Sequence, residues 1–224
     1  MSRTALLVLA DGRFPAGGHA HSGGVEAAVA NRAVRDPATL YAFCRGRLHT
    51  AGLTAASLAA SAAAGCDPLV LDEAADARTP SPAVRITARK LGRQMLRAAR
   101  ATWPCEALEK LARALPGGAH QPVVLGIAAH AAGLTALDAA HATAFDSIGA
   151  PASAAVRLLG LDPFDATAVL ARLCDDVDAV ARRAADVAAR VADEGVGVLP
   201  AASSPLLDIT AEQHAAWSMR LFAS

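Results

Sequence analysis

Apolar side chains recur along most of the chain at intervals of three and four residues, which is the period of an amphipathic helix. No stretch of the sequence sustains the alternation of apolar and polar residues that marks a half-buried strand. The pattern therefore predicts an all-α protein, with one long helix beginning near Pro163. The apolar face of that helix carries Val169, Leu173, Val177, Val180, Ala184, Val187 and Val191.

Helix starts are marked in the sequence by capping side chains. Four of them stand directly before a proline, which suits the first helical position because its missing N–H is not needed there. These four are Asp36, Asp67, Ser81 and Asp162. Ser22 is a further candidate cap, for a helix running to about Val34, and capping boxes are predicted at Thr135 and Thr210. These predicted caps indicate a bundle of about eight to nine helices in a single domain, spanning residues 1–224.

The C-terminal end differs from the rest of the predicted bundle. An irregular stretch from Gly195 to Asp208 leads to a short helix that Thr210 is predicted to cap. A helix of about ten residues is marginal by itself, and residues 205–224 carry too many large apolar side chains to leave in water. This tail is therefore expected to dock either on its own domain or on a partner protein, and in the second case it is mobile when the chain is alone. Its apolar residues are Leu206, Leu207, Ile209, Trp217, Leu221 and Phe222.

Composition agrees with a helical fold and argues against one class of function. Hydrophobic residues make up 54% of the chain and aromatic residues only 4%, so the apolar content is dominated by alanine and leucine, which are strong helix formers. Basic and acidic residues both number 21. The chain therefore lacks the basic excess that nucleic-acid binding normally requires.

Cysteine usage and hydropathy predict a cytoplasmic protein. The four cysteines lie far apart and form no CxxC motif, which favours buried free thiols in a reducing compartment over disulfides or structural zinc. The apolar residues 5–10 are too few for the core of a signal peptide. The longest uncharged stretch, residues 50–66, is rich in alanine, serine and glycine and is predicted to be a packed helix rather than a membrane span.

One local concentration of charge stands out from the balanced total. Arg85, Arg89, Arg93 and Arg97 recur every four residues and would form a row along one helix face. Such a row is either a solvated helix face or a surface covered by an acidic protein partner, with nucleic acid as a third alternative.

A glycine-rich loop, FPAGGHAHSGGVEAAV, occupies residues 14–29. A phosphate-binding loop needs a lysine and a hydroxyl residue after its second glycine, and this loop has neither. Its glycines do not fit GxGxxG, and no strand is predicted before them. Nucleotide binding by this chain is therefore not expected.

The same loop contains the only candidate metal ligands, an HxH pair. His19 and His21 are weak candidates, because imidazole binds nickel and zinc but two ligands do not complete a site. The alternative is a loop whose polar rings contact backbone or a partner. Ser22 stands beside His21 and near Glu26, but no nucleophile-elbow pattern surrounds it. We therefore predict no catalytic residue.

Four blocks of the sequence, in the right order, resemble the urease accessory protein family UreF. The first block is LLVLADGRFPAGGHAHSGGVEAAV, with its proline and glycine loop followed by a helix start. The second is LDEAADARTPSPAVRITARKLGRQMLRAA, a basic helix containing Gly92. HQPVVLGIAAHAAGL is the third, and PLLDITAEQHAAWSMRLFAS at the C-terminus is the fourth.

The resemblance implies a non-enzymatic assembly factor that forms a homodimer and binds a second accessory protein, UreD (also called UreH). Together these proteins recruit the GTPase UreG and deliver nickel into the urease apoprotein. Nickel is then handled by the complex, and no cofactor is bound tightly by this chain. The loop, the arginine row and the tail are expected to bind partners through Phe14, Pro15, Gly17, Gly18, His19, His21, Glu26, Arg89, Arg93, Arg220, Leu221 and Phe222.

Two departures from the family pattern limit what the resemblance implies. Many members carry aromatic residues in the opening loop where this chain has His19 and His21. The Pro-Leu-Gly-Gln segment of the family is replaced by residues 160–163, so the role of its glutamine does not carry over. Two other functions stay open: a direct nickel carrier that uses the HxH loop, and an all-α enzyme that binds a small metabolite.

Overall fold

The fold is built from helices, with no β-strand, in the residues that the computed structural model describes. These are residues 4–202 and 204–222, with only the backbone of His19. Short 3₁₀ turns lie at Gly18–Ala20 and Val196–Val198, and a π-helical turn lies at Leu48–Gly52. The all-α prediction is confirmed. The helices are α1 (Thr4–Leu9), α2 (Val25–Ala30), α3 (Pro37–Arg47), α4 (Leu53–Ala63), α5 (Pro68–Ala77), α6 (Pro82–Thr102), α7 (Glu106–Ala114), α8 (Gln121–Ala131), α9 (Ala136–Leu159), α10 (Pro163–Arg172), α11 (Cys174–Glu194) and α12 (Pro205–Ala215).

Local capping chemistry sets most of the helix starts. Asp36 accepts a hydrogen bond from the backbone of Thr39, whose hydroxyl in turn accepts from the backbone of Asp36. A second capping box pairs Thr135 with Asp138 at the start of α9. The other three proline-associated caps also form, at Asp67, Ser81 and Asp162. These predictions are confirmed because each depends on neighbours within three residues.

Two predicted caps are wrong. Helix α2 begins at Val25 after Gly24, whose φ of 89° is left-handed, so Ser22 lies outside the first turn, and the helix ends at Ala30 rather than near Val34. Helix α12 begins at Pro205, five residues before the predicted cap. Thr210 therefore lies inside the helix, where its hydroxyl donates to the carbonyl of Leu206 at 2.7 Å.

The long helix predicted from Pro163 is in fact two helices. It breaks at Leu173. The ψ of this residue, 1°, ends α10, and its carbonyl accepts the first hydrogen bond of α11, from the N–H of Val177. Helix α10 packs on α3 and α9, whereas α11 packs on α4 and α9, so the chain has to change direction between them. Short segments of this kind raise the number of described helices to twelve, above the number that the caps indicated.

Helix α4 lies at the centre of the bundle and packs against α8, α9 and α11. All of its residues except Ala55 are buried, and most are alanine or serine, which lets neighbouring backbones come close. Its serine hydroxyls return to the helix backbone: Ser57 and Ser61 each donate to a carbonyl four residues earlier at 2.8 Å. The packed helix predicted within residues 50–66 is thus the core of the fold.

Among the described residues, no helix combines the length and the apolar character needed to cross a membrane.

Glycines mark the closest helix approaches. A Cβ at Gly126 of α8 would lie 2.2 Å from the carbonyl oxygen of Ala59 on α4. At Gly92 of α6 it would lie 1.8 Å from the carbonyl oxygen of Ala119. Both distances are far below van der Waals contact, so only glycine fits at these two helix positions.

The long helix α9 contains a proline, Pro151. Proline has no N–H, so the carbonyl four residues earlier, on Ser147, loses its helical partner. Arg47, at the end of α3, supplies the missing donor: its Nε lies 3.0 Å from that carbonyl oxygen. Gly52 in the π-helical turn also approaches this point, because a Cβ there would lie 2.8 Å from Oγ of Ser147.

The helix contacts predict opposite effects for two glycine substitutions. Gly92→Ala should destabilise the fold by about 1–3 kcal/mol, because the added methyl group overlaps the backbone of Ala119. Gly46→Ala is the control, since Gly46 is helical and a Cβ there meets nothing within 4 Å. It should stabilise by up to about 1 kcal/mol, the helix-propensity difference. Urea denaturation measures both, and equal effects of the two substitutions would contradict the close approach.

Candidate functional site

A buried carboxylate joins the two ends of the chain. Glu26 lies in the first turn of α2, and its side chain is almost fully buried. It accepts hydrogen bonds from Nε2 of His214 at 2.9 Å, from the backbone N–H of Leu221 at 2.8 Å and from that of Phe222 at 3.0 Å. Both oxygens are used, so the glycine-rich loop and the tail meet at this one side chain.

The histidine in this contact meets the carboxylate through Nε2. His214 is fully buried, and because Nε2 faces the acceptor oxygen of Glu26, this nitrogen carries a proton. Nδ1 has no hydrogen-bond partner among the described residues. The ring also contacts Trp217, with centroids 4.6 Å apart. Removing the carboxylate would leave further buried polar atoms without partners, which is costly.

A second contact, made by Glu212 of α12, holds the tail against α6. The carboxylate of Glu212 accepts hydrogen bonds from the hydroxyl of Ser81 and from the backbone N–H of Ala83, the latter at 2.8 Å. These groups form the N-terminal turn of α6. The tail therefore docks on its own domain, which is one of the two expected alternatives, and contact with a partner stays a prediction.

The docked tail still exposes much apolar surface. Phe222 is buried, with the guanidinium of Arg157 5.9 Å from its ring centroid. Its neighbour Leu221 is exposed, as is Arg220, which makes no ion pair with any residue that the structure describes. The tail residues proposed for partner binding thus divide into an internal anchor, Phe222, and two exposed side chains.

The glycine-rich loop is tied down at several points. The ring of Phe14 stacks on Trp103 with centroids 5.8 Å apart, while Pro15 is exposed. Gly17 adopts a left-handed φ of 82°, and a Cβ there would overlap the side-chain amide of Gln94. Space around Gly18 is open.

His21 faces the interior of the molecule. Its Nδ1 accepts a hydrogen bond from the backbone N–H of Gly23 at 3.0 Å. Burial, assisted by the charges of Arg47 and His214, lowers the pKa of His21 to about 3. The ring is therefore neutral at physiological pH, and its proton is on Nε2.

This geometry does not favour His21 as a metal ligand. A metal at Nδ1 would displace the Gly23 contact, and a metal at Nε2 would need the proton moved to Nδ1, which breaks the same contact. Within the described residues, no three His, Cys, Asp or Glu side chains are grouped so as to hold a metal ion. The side chain of His19 lies outside the described residues, so the HxH pair stays untested.

A cavity of about 360 Å³ lies where the loop, α9 and the tail meet. Phe14, Gly18, His21 and Phe222 all line it. The fold thus brings two of the predicted regions, loop and tail, to one place. Arg89 and Arg93 do not line this cavity.

The arginine row is largely engaged within the chain. Arg89 forms ion pairs with Asp72 at 3.0 Å and Asp76 at 2.6 Å, and donates to the carbonyl of Gly118 at 2.7 Å. Arg85 donates to the carbonyls of Thr79 and Pro80, and Arg93 to that of Gly117. The row is therefore not a bare charged stripe, and a structural role for Arg89 joins the predicted role in partner binding.

His120 completes this network. Its backbone N–H donates to Asp72 at 2.7 Å, and its Nε2 lies 2.7 Å from Asp76. The network fixes the turn between α7 and α8 against α5 and α6. The sequence alone does not reveal this network, because its members come from three separate segments, although His120 opens one of the four blocks that resemble UreF.

The cysteines are all free. Cys44 is buried beside α9, where its Sγ lies 3.9 Å from the carbonyl oxygen of Ile148, and Cys174 is exposed. The prediction of free thiols agrees with this. The prediction that the thiols are all buried is wrong, because Cys174 is exposed.

Sequence comparison places this helical bundle among the urease accessory proteins. A urease accessory protein UreF from Mycobacterium sp. strain JLS is 43% identical over 99% of this chain and 98% of its own length. The corresponding protein from Mycolicibacterium vanbaalenii is 42% identical over 100% and 99%, and that from Mycobacterium tuberculosis is 38% identical over 100% and 99%.

The UreF family model matches residues 34–174. The chain therefore belongs to the UreF family, whose members are non-enzymatic urease accessory proteins. The resemblance found in the four sequence blocks is confirmed.

The anchor at Glu26 predicts a specific loosening of the tail. Glu26→Gln keeps the shape of the side chain but turns an NH₂ group toward hydrogen-bond donors, which should destabilise the contact by about 1–3 kcal/mol. We expect faster hydrogen exchange at the backbone amides of Leu221 and Phe222. Glu194→Gln, which breaks an exposed ion pair with Arg190, is the control. Unchanged exchange at both tail amides in Glu26→Gln would disprove the anchor.

The Asp76 contacts predict a pH dependence of stability. Partial burial raises the pKa of Asp76, but hydrogen bonds and charges from His120 and Arg89 outweigh it, so the pKa is lowered. A lowered folded-state pKa stabilises the fold above the unfolded pKa of about 3.9, and this stabilisation is lost as the pH falls through the folded value.

Asp76→Asn should therefore flatten the acid limb of the stability curve. Urea denaturation from roughly pH 7 to pH 3 measures the free energy of unfolding, which should fall more steeply in the wild-type chain than in the variant. Asp193→Asn changes an exposed carboxylate with no ion pair among the described residues. In this variant the free energy of unfolding should fall with pH as steeply as in the wild-type chain. The same slope in Asp76→Asn and the wild-type chain would contradict the prediction.

Proposed function

We propose that this chain is a scaffold in urease maturation. It binds the accessory protein UreD (UreH), the pair recruits the GTPase UreG, and the assembly delivers nickel into the urease apoprotein. In this scheme UreG supplies nucleotide chemistry and urease supplies catalysis, while this chain supplies binding surfaces. Family membership supports the scheme. A homodimeric state and a cytoplasmic location are part of the same proposal.

The observation that carries the proposal is the exposed apolar surface of an anchored tail. Large apolar side chains normally avoid water, and a group of them on one segment is typical of a protein interface. The tail is already held by Glu26 and Glu212, so a partner that binds it has less conformational entropy to remove. The exposed side chains are Leu206 (77%), Ile209 (54%), Met219 (84%) and Leu221 (74%).

The glycine-rich loop extends this surface. Pro15 is exposed and Gly18 is open, and the loop shares the cavity of about 360 Å³ with Phe222 of the tail. One partner can therefore contact both segments. Arg220, exposed beside Leu221, is positioned to pair with a carboxylate of that partner at the polar rim.

Direct nickel carriage by the HxH loop is less well supported. The Nδ1 of His21 is already an acceptor for the Gly23 backbone, and its side chain faces the interior cavities. We therefore assign nickel handling to the complex.

The tail surface is tested by shortening two exposed side chains. Leu206 and Ile209 lie three residues apart on α12, so the double change Leu206→Ala and Ile209→Ala keeps the helix propensity but removes apolar contact. We expect at least about tenfold weaker binding to UreD (UreH), since interface truncations of this kind often cost about 1 kcal/mol each. Urease activation in cells should fall in parallel, with the melting temperature nearly unchanged.

The control is Phe164→Ala, which shortens a side chain that is 83% exposed on α10 and belongs to neither the loop nor the tail. It should bind UreD (UreH) normally. Wild-type affinity in a folded Leu206→Ala, Ile209→Ala variant would contradict the proposed surface.

A further inference from the structure

Arg47 is a largely enclosed cation without a counter-ion. Its Nε donates a hydrogen bond to the carbonyl of Ser147, which has no helical partner because Pro151 lacks an N–H. Its two terminal nitrogens make no hydrogen bond or ion pair with any described residue. Asp146 acts on it electrostatically from beyond ion-pair distance and lines the larger cavity instead. Burial lowers the pKa of Arg47, which reflects the cost of enclosing this charge.

The guanidinium borders a second cavity, of about 190 Å³, between α4, α6 and the segment before α12. Another cation, Arg78, lines the same space. Its guanidinium donates to backbone carbonyls at Ala74, Val196, Leu199 and Pro200. Carbonyls satisfy its hydrogen bonds but carry no net charge, so Arg78 also lacks a carboxylate partner among the described residues.

The remaining polar groups of the cavity leave it positive. Hydroxyls of Thr54 and Ser204, the amide of Gln121 and the neutral ring of His21 line it. Asp208 is the one acidic lining residue among those described. Burial and the charge of Glu212 raise its pKa, against a hydrogen bond from the Ser81 backbone. As a carboxylate it is still outnumbered by the two arginines that line the cavity.

We propose that this cavity binds a small free oxyanion, such as phosphate or bicarbonate, on the terminal nitrogens of Arg47. A guanidinium presents paired N–H donors that match the oxygens of such anions. The side-chain amide of Gln121, which has one proton engaged by Asp146, can donate its second proton to the anion. The hydroxyls of Thr54 and Ser204 are already hydrogen-bonded within the chain, to the carbonyl of Pro200 and to Thr50. The volume corresponds to about six water molecules, which is ample for an anion of four or five heavy atoms. Nothing in the proposed role in urease maturation requires this site.

Inorganic phosphate and bicarbonate are the probes. The melting temperature of the full chain is followed during titration with each anion, with sodium chloride at matched ionic strength as the reference. Binding to the folded state should raise the melting temperature in a saturable way. Arg47→Gln should weaken the apparent affinity at least tenfold, whereas Arg45→Gln, at an exposed arginine two residues away, should keep it.

Because Arg47 also hydrogen-bonds to helix α9, a second variant, Pro151→Ala, is used to separate anion binding from folding. Pro151→Ala restores an N–H for the carbonyl of Ser147, so Nε of Arg47 is no longer needed there. Pro151→Ala should bind phosphate as the wild-type chain does, and adding Arg47→Gln should abolish this. A wild-type chain that responds to neither anion more than to chloride would overturn the proposal, as would undiminished binding by the double variant.

Discussion

Close packing around α4 is the constraint on which the rest of the structure depends. Three helices, α8, α9 and α11, approach one buried helix, and they do so because its side chains are small. Gly126 lets the backbone of α8 approach Ala59. Each such contact excludes water and gains dispersion energy over many atom pairs. The positions of α9 and α8 then decide where the loop, the Arg47 contact and the tail lie.

The proline-containing helix α9 links this core to the functional surface. Pro151 leaves a carbonyl free inside the bundle, and Arg47 is drawn in to satisfy it. Burying a guanidinium is costly unless it is hydrogen-bonded or paired, and only one of its nitrogens has a partner among the described residues. A structural need in α9 thus creates the positive cavity beside it.

The tail shows how one buried carboxylate organises distant parts of the chain. Glu26 needs donors because an enclosed carboxylate without hydrogen bonds is unstable, and His214 with the backbone of Leu221 and Phe222 provides them. In the tail held by these contacts, Leu206 and Leu221 are exposed. A segment that is anchored inside and apolar outside is prepared to receive a protein partner.

The sequence by itself determined the helical class, the proline-associated caps and the family, because each depends on local pattern or on motifs in a fixed order. It did not determine the true ends of the helices near Ser22 and Thr210, since tertiary packing decides where a helix begins. The engagement of Arg89 with Asp72 was equally hidden in a regular row of arginines. Only the tertiary structure decided these points, because hydrogen bonds and ion pairs between distant residues follow from the packing of whole helices around α4.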